Sequence, residues 1–165
     1  MSGREAGPHP AGRAARLMIV EDNPADVFML RIALEDSKVP VELEVISDGE
    51  QAMAMATGGP AGPACPQPDV ILLDLNFPGF DGKEVLKALR ANPLYQDTKV
   101  LILTSSDDLR DRRSCEVAGA DMYLQKPRNL EELESLGRMV VSMLGDAAAA
   151  LTPPSRPSAM PRPSR

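Results

Sequence analysis

The sequence predicts an α/β fold in which a parallel sheet is covered by helices on both faces. Short aliphatic runs alternate with segments of helical character along most of the chain. The run Val-Ile-Leu-Leu at 70–73 is apolar at every position, which is typical of a strand buried on both faces of a parallel sheet. Repeated strand–helix units joined by short links form such sheets through right-handed crossovers.

Each strand and helix has recognisable limits in the sequence. The predicted strands are 17–20, 41–46, 70–74, 100–104 and 122–125, and the predicted helices are 24–37, 49–56, 82–92, 107–118 and 130–144. Asn23 precedes a proline, so a side-chain acceptor stands before a residue suited to the first helical position. Gly119 is suited to end the fourth helix in a left-handed turn.

One domain, residues 16–144, is predicted between two disordered tails. The N-terminal tail, 1–15, is small and polar, and the C-terminal tail, 145–165, is rich in Pro and Arg towards its end. Residues 57–68 form a Pro/Gly-rich loop inserted within the domain. No output domain is predicted after residue 144, so we expect a stand-alone protein that signals by binding other proteins.

Composition excludes several functional classes. A formal net charge of −6 argues against a nucleic-acid binder, which needs a basic surface to engage phosphates. The sequence contains neither an apolar run long enough to span a membrane nor a secretory signal. A zinc site is not expected, because His9 is the only histidine and Cys65 and Cys115 lie far apart. We therefore predict a cytoplasmic protein.

Carboxylates follow two of the predicted strands. Glu21 and Asp22 follow the first strand, and Asp74 ends the third just before a turn. An Asp after a strand often only satisfies turn amides, but the carboxyl ends of parallel strands share the edge where ligands bind. Charged carboxylates about 5 Å apart repel by roughly 3 kcal/mol per pair at an effective dielectric near 20, so the cluster must hold protons or a cation. Oxygen ligands alone favour Mg²⁺ or Mn²⁺.

The fourth and fifth strands add a hydroxyl and an ammonium to the same edge. Thr104 ends the fourth strand, and Lys126 follows the fifth and precedes Pro127. A lysine after a strand is by itself usually a solvated charge, but here it joins an acid cluster. The combination suits phosphoryl transfer, with Asp74 as nucleophile and with the lysine, the threonine and a metal neutralising the developing charge.

These motifs, taken in order, resemble the receiver domain of two-component response regulators. They are Val-Glu-Asp-Asn at 20–23, Leu-Leu-Asp-Leu-Asn-Phe-Pro-Gly at 72–79, Leu-Thr-Ser at 103–105 and Tyr-Leu-Gln-Lys-Pro at 123–127. The resemblance implies a flavodoxin-like, five-stranded parallel sheet in the order 2-1-3-4-5. It also implies a phosphoacceptor signalling protein rather than an enzyme, one that catalyses only its own phosphotransfer and dephosphorylation.

The resemblance implies a role for each matching residue. Asp74 would accept a phosphoryl group from a phosphohistidine of a sensor histidine kinase, and Thr104 and Lys126 would contact that group. Thr104 and Tyr123 would act as switch residues, and the Lys126–Pro127 peptide bond would be cis, as is usual in the family.

The resemblance also implies a set of metal ligands at the acid cluster. Mg²⁺, or Mn²⁺, would be bound directly by Asp22, by Asp74 and by the backbone carbonyl of Asn76. Glu21 would act through a bound water.

A narrower resemblance is to the phytochrome-associated single-domain response regulators. It is carried by Glu-Asp-Asn-Pro-Ala-Asp-Val at 21–27, by Thr-Ser-Ser-Asp at 104–107 and by the segments around 74–82 and 123–127. This chain has Phe77 where the subgroup usually has leucine. The subgroup implies a phytochrome as partner kinase and a homodimer.

Helix 24–37 offers a candidate docking surface. Phe28 shares a helical face with Arg31 and Glu35, so it is expected to be exposed and to contact a kinase, with Val27 beside it. The alternative is that Phe28 packs locally on Val27.

The sequence is also compatible with other functions. One alternative is a protein that passes phosphate along a relay instead of regulating a target. A haloacid dehalogenase-type phosphatase needs Asp-x-Asp, but Asn76 is the second residue here. A flavodoxin-like cofactor binder needs Thr, Ser and Gly after the first strand, where this chain has Glu21 and Asp22. A structural pseudo-receiver usually lacks one of the acid, Thr or Lys positions.

Overall fold

A parallel sheet forms the centre of the molecule. The structure is a computed structural model and describes residues 14–35, 39–59 and 67–150. In chain order the strands are β1 Ala15–Val20, β2 Val41–Ile46, β3 Val70–Leu73, β4 Asn76–Phe77, β5 Phe80–Asp81, β6 Lys99–Thr104 and β7 Met122–Gln125. The five long strands pair in parallel in the order β2-β1-β3-β6-β7. This order is the predicted one, with the short hairpin β4–β5 counted separately.

Helices cover both faces of the sheet. They are α1 Pro24–Glu35, α2 Gly49–Thr57, α3 Gly82–Ala91, α4 Leu109–Val117 and α5 Leu130–Ala150. One apolar core lies between the sheet and α1 and α5, and the other lies beneath α2, α3 and α4. No helix within the described residues is both long enough and apolar enough to cross a membrane.

Strand β1 shows why both faces of the sheet are apolar. Leu17 and Ile19 belong to the core beneath α1 and α5, whereas Met18 and Val20 belong to the core on the opposite face. Side chains alternate across a strand, so a strand buried on both sides must be apolar at every position. The sequence of β3 supports the same argument, and all four of its residues are buried.

Two helices, α4 and α5, differ from their predicted limits by two residues or more at one end. Helix α4 begins at Leu109 and not at residue 107, because the carboxylate of Asp108 accepts the Arg110 N–H at 2.8 Å and caps the helix. Helix α5 continues to Ala150, beyond its predicted end at residue 144, through a run of alanines that favours helix. Three predicted features lie outside the described residues: the end of α1 at residue 37, most of the 57–68 loop and the outer parts of both tails.

The hairpin β4–β5 and a 3₁₀ turn at Pro93–Tyr95 were not predicted. Asn76 pairs with Asp81, and Phe77 with Phe80, across a turn in which Gly79 has φ of 77°. Helix α3 then starts against the end of β3, because a Cβ on Gly82 would lie 2.5 Å from the Asp74 carbonyl oxygen. The hairpin thus returns the chain to the same edge of the sheet.

Helices α1 and α5 approach each other closely at Gly137. A Cβ built on this residue would overlap the carbonyl oxygen of Ala33 in α1 and lie 3.0 Å from its carbonyl carbon. Only glycine leaves room for the backbone of α1 at this distance. The position of α1 relative to the sheet therefore depends on Gly137.

Candidate functional site

Three carboxylates meet where β1 and β3 end. Val20 and Leu73 are partners in the parallel ladder, so the residues after them emerge side by side. Oxygen atoms of Glu21, Asp22 and Asp74 all lie within 4.8 Å of one another. The structure thus brings together the three acids that the sequence placed at this edge.

Local hydrogen bonds orient two of these carboxylates. Glu21 Oε1 accepts the Asn23 N–H at 2.9 Å, and Asp74 Oδ1 accepts the Asn76 N–H at 3.1 Å. Glu21 and Asp74 are only 3% and 4% exposed. Asp22 is half-buried, and its carboxylate accepts no hydrogen bond from the described residues. Its oxygens therefore remain available to a ligand.

Lys126 projects into the cluster from the end of β7. Its Nζ lies 2.7 Å from Glu21 Oε2, 2.8 Å from Asp74 Oδ2 and 2.7 Å from Asp26 Oδ2. Its backbone N–H donates to the Thr104 carbonyl at 2.9 Å, which continues the β6–β7 ladder and fixes the start of the side chain. Asp26, in the first turn of α1, was not predicted as a site residue.

The site carries excess negative charge. The cluster combines four carboxylates with a single ammonium, which three of them contact, so its fully ionised form has a net charge of about −3. Burial acts to lower the pKa of Lys126, but hydrogen bonds to Asp26, Asp74 and Glu21 outweigh it and raise the pKa. For Glu21, burial is the largest effect and raises the pKa of the carboxyl, while Lys126 opposes the shift.

The donor set fits a hard divalent cation. The cluster supplies carboxylate oxygens and contains neither His nor Cys, which is the ligand chemistry of Mg²⁺ and Mn²⁺. Such an ion would offset the repulsion among the carboxylates. Because Glu21 and Asp74 already contact Lys126, Asp22 is the acid whose oxygens are freest to bind it.

Thr104 lies at the end of β6, beside the acid cluster. It is fully buried, and its Oγ1 accepts the Asn76 side-chain N–H at 3.2 Å and the Ser106 backbone N–H at 3.3 Å. The Thr104 hydroxyl proton has no acceptor among the described residues, so it is available to an incoming oxygen. Asn76 thus links this hydroxyl to Asp74, because its backbone N–H donates to Asp74 Oδ1.

A second network extends from Thr104 towards α4. The Tyr123 hydroxyl donates to the Ser106 carbonyl at 3.2 Å, and the Arg112 guanidinium lies 5.4 Å from the centre of its ring. Ser106 Oγ donates to Asp111 Oδ2 at 2.8 Å, and Lys83 Nζ lies 2.6 Å from Asp111 Oδ1. Sequence reasoning placed Tyr123 here but missed the other members.

The candidate docking residues on α1 differ in exposure. Phe28 is 61% exposed, so it does not fold back onto its neighbour, whereas Val27 is half-buried against the core beneath α1 and α5. Met29 is also exposed and lines a cavity of 210 Å³ together with Leu130 and Lys126. An apolar surface thus lies next to the acid cluster.

The Lys126–Pro127 peptide bond does not have the cis isomer that the resemblance implied. The described residues contain no cis peptide bond, so this bond is trans where the family resemblance implied cis. The trans isomer is favoured before proline by about 0.5–1 kcal/mol, and Lys126 reaches the carboxylates in this form.

The sheet order, the acid cluster and the adjoining lysine and threonine together define a receiver-type α/β domain. Comparison with known families agrees, because the response regulator receiver domain matches residues 17–137. The chain therefore belongs to the family of response regulator receiver domains. Members of this family are signalling proteins of two-component systems that work through phosphorylation by sensor histidine kinases, and they bind a divalent metal.

Several relatives cover most of the chain. Response regulator Rcp1 of Synechocystis sp. is 36% identical over 117 residues, which are 71% of this chain and 80% of Rcp1. The Mn²⁺-bound crystal structure of Rcp1 aligns with a TM-score of 0.70 at 34% identity, over 78% of this chain and 92% of that one. The phosphorylated cyanobacterial phytochrome response regulator RcpA aligns with a TM-score of 0.70 at 31% identity, over 87% and 100%.

A relative with a longer chain shares only this part. The transcriptional regulatory protein TrcR of Mycobacterium tuberculosis is 37% identical over 124 residues, which are 74% of this chain but 43% of TrcR. The shared region is therefore less than half of TrcR.

Proposed function

We propose that this protein is a response regulator that accepts a phosphoryl group on Asp74 from a phosphohistidine of a sensor histidine kinase. One observation carries the proposal. The buried Asp74 carboxylate lies at a strand end, within 4.8 Å of two further carboxylates and 2.8 Å from the Lys126 ammonium. This arrangement combines a nucleophile, a cation-binding group and a fixed positive charge.

The transfer exchanges one bond to phosphorus for another. An Asp74 carboxylate oxygen attacks the phosphorus, the O–P bond forms, and the P–N bond to the histidine breaks with its electron pair remaining on the imidazole nitrogen. Hydrolysis returns Asp74 to its unphosphorylated form. Water attacks the phosphorus, and the O–P bond to Asp74 breaks to give the carboxylate and inorganic phosphate. The protein thereby catalyses only reactions of its own phosphoryl group.

The resemblance to receiver domains supplies the proposed set of metal ligands. Asp22, Asp74 and the backbone carbonyl of Asn76 would bind Mg²⁺, or Mn²⁺, directly, and Glu21 would act through a bound water. The hydrogen bonds support the different roles of Asp22 and Glu21, because both Glu21 oxygens already accept hydrogen bonds whereas those of Asp22 accept none from the described residues. The bound ion would neutralise charge on the phosphoryl oxygens.

Lys126 and Thr104 would stabilise the phosphorylated state. Once Asp74 is converted to an acyl phosphate it loses its carboxylate charge, and a Lys126 N–H becomes available to a phosphoryl oxygen. Thr104 would turn its unpaired hydroxyl proton towards the same group. Thr104 Oγ1 accepts the Ser106 N–H, and the Ser106 carbonyl accepts the Tyr123 hydroxyl. This movement would therefore shift an existing conformational equilibrium of the β6–α4 loop.

Output and partners follow from the relatives and the surface. The similarity to RcpA supports a phytochrome as the partner kinase. Phe28 of α1, which is exposed, would be its docking contact, with Val27 beside it. The phosphorylated protein would act by binding other proteins in the cytoplasm, either as a regulator or as a phosphate-shuttling intermediate. A homodimer would use exposed apolar side chains such as Leu109 and Val117 of α4, which are 75% and 90% exposed.

The phosphatase alternative gains no support. A haloacid dehalogenase-type enzyme needs a carboxylate two residues after its nucleophile, and the amide of Asn76 at that position donates to Thr104 instead. The family comparison also points to phosphorylation-based signalling.

Incubation with acetyl phosphate and Mg²⁺ tests the proposal. We expect covalent phosphorylation of the wild-type protein, detected as a mass increase of the intact chain, and none in Asp74→Asn, which lacks the nucleophilic oxygen. Asp107→Asn is the matched control, because it removes an exposed acid from the loop after β6 and is expected to be labelled normally. Labelling retained in Asp74→Asn would contradict the assignment.

A further inference from the structure

One carboxylate in contact with Lys126 has no part in the proposed transfer. Asp26 Oδ2 lies 2.7 Å from Nζ, as close as Glu21 Oε2. The Asp26 side chain is 34% exposed, whereas those of Glu21 and Asp74 are 3% and 4% exposed. Asp26 therefore reaches the ammonium from the solvent side, through the first turn of α1.

The number of hydrogen-bond donors on Lys126 limits what it can hold. An ammonium has three N–H donors, and here three carboxylates lie within hydrogen-bonding distance of it. Phosphorylation removes the carboxylate charge of Asp74 and brings anionic phosphoryl oxygens, which are strong acceptors for the same donors. The phosphoryl group must then share Lys126 with Glu21 and Asp26.

Glu21 and Asp26 differ in how readily they can release the ammonium. Glu21 is buried at the end of β1, and its second oxygen is held by the Asn23 N–H. Asp26 is partly exposed, so water can solvate it when it leaves Lys126. Asp26 is therefore the more exchangeable of the two.

We propose that Asp26 is a positioning residue that competes with the phosphoryl group for Lys126 and so weakens the hold of the site on that group. This inference rests on the proposed role of Asp74 as phosphoacceptor. The competition acts through Lys126, and it makes the phosphorylated state less stable than the other residues of the site alone would make it.

A purely structural role for Asp26 predicts a different outcome. A carboxylate in the first turn of a helix stabilises the helix N-terminus, and the ion pair ties α1 to the end of β7. If that were all, removing the carboxylate would lower the free energy of unfolding and leave the affinity for a phosphoryl group unchanged or reduced. Competition predicts increased affinity.

The first test measures binding of beryllofluoride, a phosphoryl mimic, to the full chain in excess Mg²⁺. We expect Asp26→Asn to bind it about fivefold more tightly than the wild type, which corresponds to the upper range for a partly exposed ion pair. Mg²⁺ affinity measured without beryllofluoride is not expected to rise, because a negative charge has been removed. Glu35→Gln, which removes an exposed acid from the other end of α1, is expected to change neither affinity.

Conservative variants separate the carboxylate from the side-chain volume. Asp26→Ser should bind beryllofluoride as tightly as Asp26→Asn, and Asp26→Glu should return the affinity towards that of the wild type. Affinity that is unchanged or lower in Asp26→Asn would overturn the competition. Wild-type protein that binds no beryllofluoride would instead refute the phosphoacceptor role of Asp74, so the two failures are distinguishable.

A double-mutant cycle with Lys126→Met tests whether the effect passes through the ammonium. If it does, Asp26→Asn should leave beryllofluoride affinity unchanged once Lys126 is replaced. A gain that persists in the Lys126→Met background would show direct repulsion between Asp26 and the anion, and would overturn the proposed competition. If Lys126→Met does not unfold cooperatively, Lys126→Gln, which also lacks the ammonium but keeps a polar side chain, takes its place in the cycle.

Discussion

The two edges of the central sheet both carry clusters of charged side chains, but they balance charge differently. At the carboxyl edge, where the strands end, three carboxylates contact Lys126 and a fourth, that of Asp22, lies beside two of them. At the amino edge, Arg90 and Lys99 both pair with Asp121, whose carboxylate also accepts the Val100 N–H. The Arg90 guanidinium donates in addition to the backbone carbonyls of Tyr95, Thr98 and Gly119.

The difference separates stability from binding. At the amino edge two cations share the Asp121 carboxylate, so opposite charges are in contact. The guanidinium bonds bring α3 and the starts of β6 and β7 together, so the cluster stabilises the fold. At the carboxyl edge like charges repel, and under the proposed function a cation and a phosphoryl group would complete the cluster. Functional sites commonly retain such unfavourable arrangements at the expense of stability.

The largest expected effect is a loss of stability when the charged cluster at the amino edge is disrupted. Arg90→Ala leaves three carbonyls and Asp121 without this donor, and we expect the free energy of unfolding to fall by about 3 kcal/mol. Urea unfolding measures the loss, and acetyl phosphate labelling of the folded variant should persist. Lys87→Ala, on the exposed side of the same helix, is the control and should unfold almost as the wild type does.

The next largest expected effect is a gain in stability, caused by a substitution at the carboxyl edge. Asp22→Asn removes one repelling carboxylate, so we expect the metal-free protein to gain about 1 kcal/mol in unfolding free energy. Excess Mg²⁺ should stabilise the wild type, because it binds only the folded state, and should stabilise the variant far less. Thermal unfolding with and without MgCl₂ measures both. Equal stabilisation of the two proteins by Mg²⁺ would show that Asp22 is not a ligand.

The smallest effect concerns a matched pair that lies near the carboxyl edge. Lys83 and Asp111 are 2.6 Å apart, and the hydrogen bonds from Lys83 and Ser106 lower the pKa of the Asp111 carboxyl below its ordinary value of 3.8. Its stabilisation is therefore present above that value and is lost as the pH falls through the lowered pKa. We expect Asp111→Asn to cost less than about 1 kcal/mol at neutral pH.

Urea unfolding of the wild type and Asp111→Asn at neutral and acidic pH checks this prediction. The difference between the two proteins should shrink as the pH falls below 3.8. Mg²⁺ affinity should be the same in both, because a matched pair adds stability without attracting the ion. A change in Mg²⁺ affinity would show that location, rather than charge balance, determines how a cluster behaves.

The sequence predicted the strands and most of the acid cluster because those signals are local. Buried parallel strands are apolar at every position, and the residue after each strand falls at the carboxyl edge, so Glu21, Asp22, Asp74, Thr104 and Lys126 could be placed without coordinates. Their chemical roles depend on ligands, and they stay predictions until the experiments above are done.

Other features depended on contacts that no local pattern records. Asp26 stands in the first turn of a helix, where an acid is usual, and its partner Lys126 is 100 residues away. The link from Lys83 through Asp111 to Ser106 joins two helices and a loop in the same way. The hairpin β4–β5 has two residues in each strand, too few to show an alternating pattern.

The close contact at Gly137 extends to the chemistry of the site. Helix α1 carries Asp26, and its distance from α5 is set where the Ala33 carbonyl meets a residue without a side chain. Any larger residue at this point would push α1 outward and lengthen the Asp26–Lys126 ion pair. The absence of a side chain at Gly137 thus helps to determine how many anions share Lys126.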